Sequence, residues 1–177
     1  MADNAARNGD EHAPGDADGA QHVPGEVTFL VCVDDTPECR VAMRFAGLRA
    51  RYSSGHVALL YVIEPAEFEH WMAVADLMRE EQRQTAEELL QSLAAEVYDI
   101  SGKMPVLHVR EGRKGEQVLK LIAEDPSISI MVLGAAPDGE GSNELVRQLT
   151  SELTKRLRIP LAIVPGNLSD EQLRLLT

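Results

Sequence analysis

Three short stretches carry the residue types that can hold a phosphate. The apolar run Ile130-Met131-Val132-Leu133 breaks into Gly134-Ala135-Ala136-Pro137-Asp138-Gly139-Glu140-Gly141-Ser142. A strand that stops at glycines and resumes as a helix offers main-chain N–H groups and the positive end of a helix dipole to an anion. Upstream, Asp34-Asp35-Thr36 follows one apolar run, and Val62-Ile63-Glu64 closes another. In an open parallel sheet the three would converge beyond the carboxyl ends of the strands, provided strands one and four are neighbours. Each also has a plainer role. Asp34 and Asp35 can simply solvate and cap the following helix, and Gly134 can be only a turn.

Other chemistry has less support. Cys39 falls in the first turn of a helix, where the dipole can lower a thiol pKa, but Asp34, Asp35 and Glu38 oppose that. Both cysteines, Cys32 and Cys39, therefore read as small apolar residues, and they offer no disulfide framework. The five histidines are scattered, with His12 and His22 near the N-terminus, so no zinc site and no catalytic residue is assigned. Trp71, the single tryptophan, reads as core or as a partner contact.

Composition sets the outer limits. At 177 residues and 44% hydrophobic, the chain suits one domain with a full core. A net charge of −12 makes a nucleic acid or an anionic membrane a poor partner. No run approaches a membrane span, and no apolar signal core opens the chain, so a cytoplasmic protein is expected. Residues 1–26 hold six acids and one base, a net −5. They carry too little apolar surface to offset their ordering entropy and are expected to be a disordered acidic tail.

From residue 27 the pattern alternates. Residues 27–33 read as a strand buried on both faces. Thr36 and Pro37 then start a helix that runs to about Tyr52 and stops at Ser53-Ser54-Gly55. A second strand spans 56–63. A long helix over 68–97 carries Val74, Ala75, Met78, Ala86, Leu90, Leu93 and Val97 on one stripe. A third strand covers 105–110, and Gly112 and Gly115 open a helix that Asp125-Pro126 ends. A fourth strand spans 128–133, and Leu145, Leu149, Leu153 and Leu157 mark the next helix. A fifth strand covers 159–164. This order predicts an α/β fold, a single-domain open parallel sheet of five strands with helices on both faces. Residues 166–177 form a short extension with Ser169 and Gln172 as a capping pair; it is either a frayed end or a segment that docks on a partner chain.

The order and local sequence resemble the universal stress protein family across 27–165. The resemblance rests on Leu-Val-Cys-Val-Asp-Asp-Thr-Pro-Glu at 30–38, Leu-Leu-Tyr-Val-Ile-Glu-Pro at 59–65, Val-Arg-Glu-Gly at 109–112, Ile-Met-Val-Leu-Gly at 130–134 and Ile-Pro-Leu-Ala-Ile-Val at 159–164. It implies an adenine-nucleotide alpha-hydrolase-like sheet in the order 3-2-1-4-5. It also implies a homodimer across the fifth strand, here Leu161, Ala162, Ile163 and Val164. In ATP-binding relatives the site uses a carboxylate after strand one, matched by Asp34 beside Val33, and the end of strand two, matched by Val62. A glycine motif after strand four completes it.

That motif departs from the family here. Gly134 fits its first position, the second falls on Pro137, which has no N–H, and the closing pair falls near Arg147 and Gln148. Two outcomes are open. Gly139, Gly141 and Ser142 can rebuild an anion cradle, with Arg147 adding charge. Alternatively the site is lost, because Pro137 and Arg147 fill it and Asp138 and Glu140 repel phosphate. The two acids in the loop favour loss. The expectation is a regulatory or adaptor protein of the stress response with no cofactor and no turnover, the alternative being an ATP-dependent switch or slow ATPase. A response-regulator receiver lacks support, since neither the aspartate after strand three nor the lysine after strand five is present. A dinucleotide-binding enzyme would need a glycine triplet after strand one, which Asp34-Asp35-Thr36-Pro37 does not supply.

Overall fold

The computed structural model describes residues 26–64, 72–137, 143–151 and 154–177. The strands are β1 (Thr28–Cys32), β2 (His56–Ile63), β3 (Val106–Glu111), β4 (Ile128–Ala135) and β5 (Leu161–Pro165). The helices are α1 (Pro37–Ser53), α2 (Met72–Ser101), α3 (Lys114–Glu124), α4 (Asn143–Ser151) and α5 (Asp170–Leu176), with a 3-10 turn at Thr154–Arg156. The five strands form one parallel sheet in the order β3-β2-β1-β4-β5. This is the order that the family resemblance implies.

Strand alternation sends successive side chains to opposite faces and so builds two cores. Phe29, Val31, Leu59 and Val132 face α1 and α2, where they meet Met43, Ala46, Leu90, Leu93 and Val97. Leu30, Leu60, Met131 and Leu133 face α3 and α4, packing on Val118, Ile122 and Leu149. β1 is the central strand and its Leu30 and Val31 are fully buried.

α1 begins as its residues dictate. The Thr36 hydroxyl accepts the N–H of Cys39 at 3.3 Å and Pro37 follows the cap. At its other end the left-handed residue is Ser54 (φ 57°) rather than the adjacent glycine.

Three boundaries differ from the sequence pattern for physical reasons. α2 runs on to Ser101, and its 30 residues span about 45 Å, far more than β2 beside it. Its early turns overshoot the sheet, so Met78, placed on the apolar stripe by spacing, is 46% exposed. Among the α2 side chains that are described, from Leu77 onward, the first buried one is Ala86. β4 continues past Leu133 to Ala135, with Gly134 paired to Val164 and Ala135 to Pro165. Gly134 is thus a strand residue and not the first residue of a loop. α4 is described as far as Ser151, and Leu157 reaches the α3–α4 core from beyond the 3-10 turn at Thr154–Arg156. Trp71 and Leu153 lie outside the described residues.

The C-terminal piece is an ordered helix that packs on α1. Ser169 and Gln172 form both bonds of a capping box, at 2.9 and 3.2 Å. Leu173 is 1% exposed and packs in the same core as Met43 and Ala46 of α1. Arg44 binds Asp170 at 3.0 Å, and Arg49 donates to the carbonyl of Thr177 at 3.1 Å.

Candidate functional site

The carboxyl ends of β1, β2 and β4 meet where the chain leaves β1 in one direction and β4 in the other, the reversal point of strand order. The turn after β1 is shaped by Asp34. One of its oxygens accepts the Thr36 N–H at 3.2 Å and the Thr36 hydroxyl at 2.6 Å, an Asx turn that delivers Thr36 to its capping position. The Asp34 N–H points at the Cys39 sulfur, 3.4 Å away. Asp35 is exposed and reaches Arg40 at 3.5 Å.

Gly134 sits against this turn. A Cβ there would lie 2.2 Å from the carbonyl oxygen of Glu38 and 3.0 Å from the N of Cys39. Gly166, just past β5, packs the same way, with its Cβ position 2.5 Å from Glu38 Cβ. Both glycines let the sheet edge close on the first turn of α1, which is a structural reason for each.

Between these elements is a cavity of about 120 Å³ lined by Val33, Asp34, Thr36, Glu38, Glu64, Lys114, Gly134, Glu144, Leu145 and Val146 among others. A second cavity, of about 420 Å³, lies between the end of β2 and the overshooting part of α2. It is lined by Tyr61, Val62, Ile63, Glu64, Met78, Glu81, Gln82, Thr85 and Lys114. Strand alternation turns the Val62 peptide towards the β1 side, the direction in which Leu60 accepts the Val33 N–H at 2.8 Å. β1 has already ended at that height.

The charges are lopsided. Asp34, Glu38, Glu64 and Glu144 line the first cavity and Glu64 and Glu81 the second, against Lys114 as the cation common to both. Arg147, expected to add positive charge, donates to Glu144 through three bonds of 3.0, 2.7 and 2.6 Å and is exposed. That pairing holds the Glu144 carboxyl below its ordinary range, with Gln148 assisting. Burial pushes the Cys32 and Cys39 thiols up to about 12, so the helix dipole does not activate Cys39. Among the described residues no cluster of histidine, cysteine and carboxylate groups is placed to hold a metal.

Of the residues singled out by sequence, Val33, Asp34 and Gly134 share the smaller cavity, and Val62 lines the larger. Gly139, Gly141 and Ser142 lie outside the described residues. Arg147 stands on α4 with Glu144. Lys114, Glu81 and Glu144 were not legible as site residues. The signal for Lys114 was its place directly after β3, whose carboxyl end opens on the same edge of the sheet as the other three.

A model of the universal stress protein family matches residues 28–165. The chain belongs to that family. Comparison with curated protein sequences finds no match. Among solved structures, the universal stress protein UspA of Lactobacillus plantarum is similar at 17% identity and TM-score 0.66, covering 82% of this chain and 99% of its own. A universal stress protein family member of Arabidopsis thaliana, solved with AMP bound, is 16% identical with TM-score 0.57, covering 82% of this chain and 94% of its own. A universal stress protein in complex with cAMP is 13% identical with TM-score 0.59, covering 81% and 99%. At these identities the likeness is one of fold. No helix among the described residues is long and apolar enough to cross a membrane.

Proposed function

We propose that this universal stress protein acts as a regulatory or adaptor protein of the stress response, without turnover and without a resident nucleotide. The observation that carries the reading is the charge of the cleft. Among the described residues Asp34, Glu38, Glu64 and Glu144 line the cavity, with Lys114 against Glu64 and Arg147 against Glu144, so carboxylates outnumber cations. A triphosphate brings more negative charge into a partly enclosed site where opposing charge is scarce and like charges repel strongly. Gly134 also fits poorly as a phosphate cradle, because the space beside its Cα is filled by the main chain of Glu38. The smaller cavity, at about 120 Å³, is well below the few hundred Å³ of ordinary ligand sites.

Calorimetric titration with ATP, with and without magnesium, tests this directly. No binding below the millimolar range is expected, and heat-denatured purified protein should release no nucleotide absorbance. Micromolar affinity would overturn it.

A second reading has its own support. Relatives of the same fold hold AMP and cAMP, and here Val33, Asp34 and Val62 lie at the reversal point of the sheet. An ATP-binding switch or slow ATPase would follow, and the same titration decides between the two. For assembly we infer a homodimer across β5, whose outer edge carries the half-exposed Ile163.

A further inference from the structure

Two residues belong to both cavities. The carboxylate of Glu64 accepts the backbone N–H of Lys114 at 3.3 Å and lies 3.8 Å from its ammonium. This contact ties the end of β2 to the first residue of α3. On one side of it are Asp34 and Gly134, and on the other is Val62. The residues that would have to hold one nucleoside together therefore line two cavities that adjoin at this pair.

We propose that the Glu64–Lys114 pair is a specificity-determining strut, an internal carboxylate placed on the cleft's cation so that phosphorylated nucleosides are refused. The proposal rests on the reading of the cleft as closed to nucleotides and names the groups that close it. α3 begins without a side-chain cap of its own, since Arg113 at the cap position makes no such bond. Glu64 supplies the negative charge for that helix end and for the ammonium at once. A ligand phosphate carries the same charge to the same two groups, so it can bind them only by displacing Glu64. The pair is half-exposed and its ammonium contact is long, so it adds little to folding and can be removed without unfolding the chain. With Glu64 gone, Lys114 is left for an incoming anion and the partition between the compartments of about 120 and 420 Å³ is breached.

The test is AMP binding by calorimetry to the full chain, comparing the parent with Glu64→Gln, Glu64→Ala and the double variant Glu64→Ala/Lys114→Met, with adenosine as the phosphate-free probe. Thermal midpoints close to the parent's are expected throughout, and Glu64→Gln keeps the side-chain volume should the alanine variant fold poorly. Both single variants should bind AMP at least tenfold more tightly than the parent, adenosine affinity should not change, and the double variant should return to the parent's level. Absence of a gain at millimolar AMP overturns the proposal. So does an equal gain for adenosine, which would mean that only space was created, or a gain that survives loss of Lys114. Micromolar ATP binding by the parent would overturn the proposed function and the refusal together, whereas a parent that binds no ATP and variants that gain no AMP affinity would overturn the strut alone.

Discussion

Gly134 and Glu38 meet main chain to main chain, closely enough that a Cβ at 134 would stand 2.2 Å from the Glu38 carbonyl oxygen. This contact locks the end of β4 to the first turn of α1. A glycine that looks like part of an anion site is required by packing alone.

Gly134→Ala should therefore destabilise the domain whether or not nucleotide is present. The obstructing atoms are backbone, which cannot rotate away, so the cost should lie near the upper end for overpacking, about 3 kcal/mol. Urea unfolding at equilibrium measures it as a lower midpoint. A variant as stable as the parent would show that β4 and α1 separate readily.

The thiols should be inert in the folded protein. Burial holds Cys32 and Cys39 up at about 12, so at pH 8 the reactive thiolate is scarce. A chromogenic disulfide reagent should report no cysteine before denaturation and two after it. Rapid labelling of the native chain would contradict the burial.

His108, on β3, has a buried Nε2 with no hydrogen-bond partner. Burial lowers its pKa below the ordinary 6.5, the neighbouring Arg110 adds to this, and Asp125 opposes it. Well above pH 6.5 the ring is neutral in both the folded and the unfolded chain and stability is indifferent to it. As pH falls below that value the unfolded chain takes up a proton that the folded chain resists, so stability drops until the lowered folded pKa is passed. Glu116, Glu124 and Glu144, held below their ordinary 4.5 by arginines, act at lower pH. Unfolding free energies between pH 7 and 5 should slope for the parent and flatten for His108→Gln. An unchanged slope would assign it to another group.

If the chain pairs across β5, Ile163→Lys should give a monomer. Ile163 is 44% exposed on the sheet edge, and an edge lysine opposes strand-to-strand docking. Light scattering after gel filtration reads the mass. A variant with the parent's mass would place any interface elsewhere.

The sheet was legible because its strands are continuous apolar runs and its helices carry capping signals such as Thr36-Pro37 and Ser169…Gln172. What the pattern missed came from length and from contacts distant in sequence. Spacing placed Met78 on the apolar stripe of α2, but nothing local shows where the sheet beneath the helix ends. The strand role of Gly134 depends on pairing with Val164 of β5 and on closeness to Glu38, nearly a hundred residues earlier. At the site, Asp34 could be found because it follows directly on a buried strand. Lys114 was harder to find, since its importance arises from Glu64, the residue just past β2 and fifty residues away.

The central position of β1 also sets a timetable. One of its neighbours, β2, follows after a single helix, whereas the other, β4, begins about a hundred residues later. Closing the longer loop costs more chain entropy, so β1, β2 and β3 should assemble as a half-sheet before β4 and β5 complete it. Substitutions along the β1–β2 seam should then slow folding. Those along the β1–β4 seam, Val132 among them, should mainly hasten unfolding.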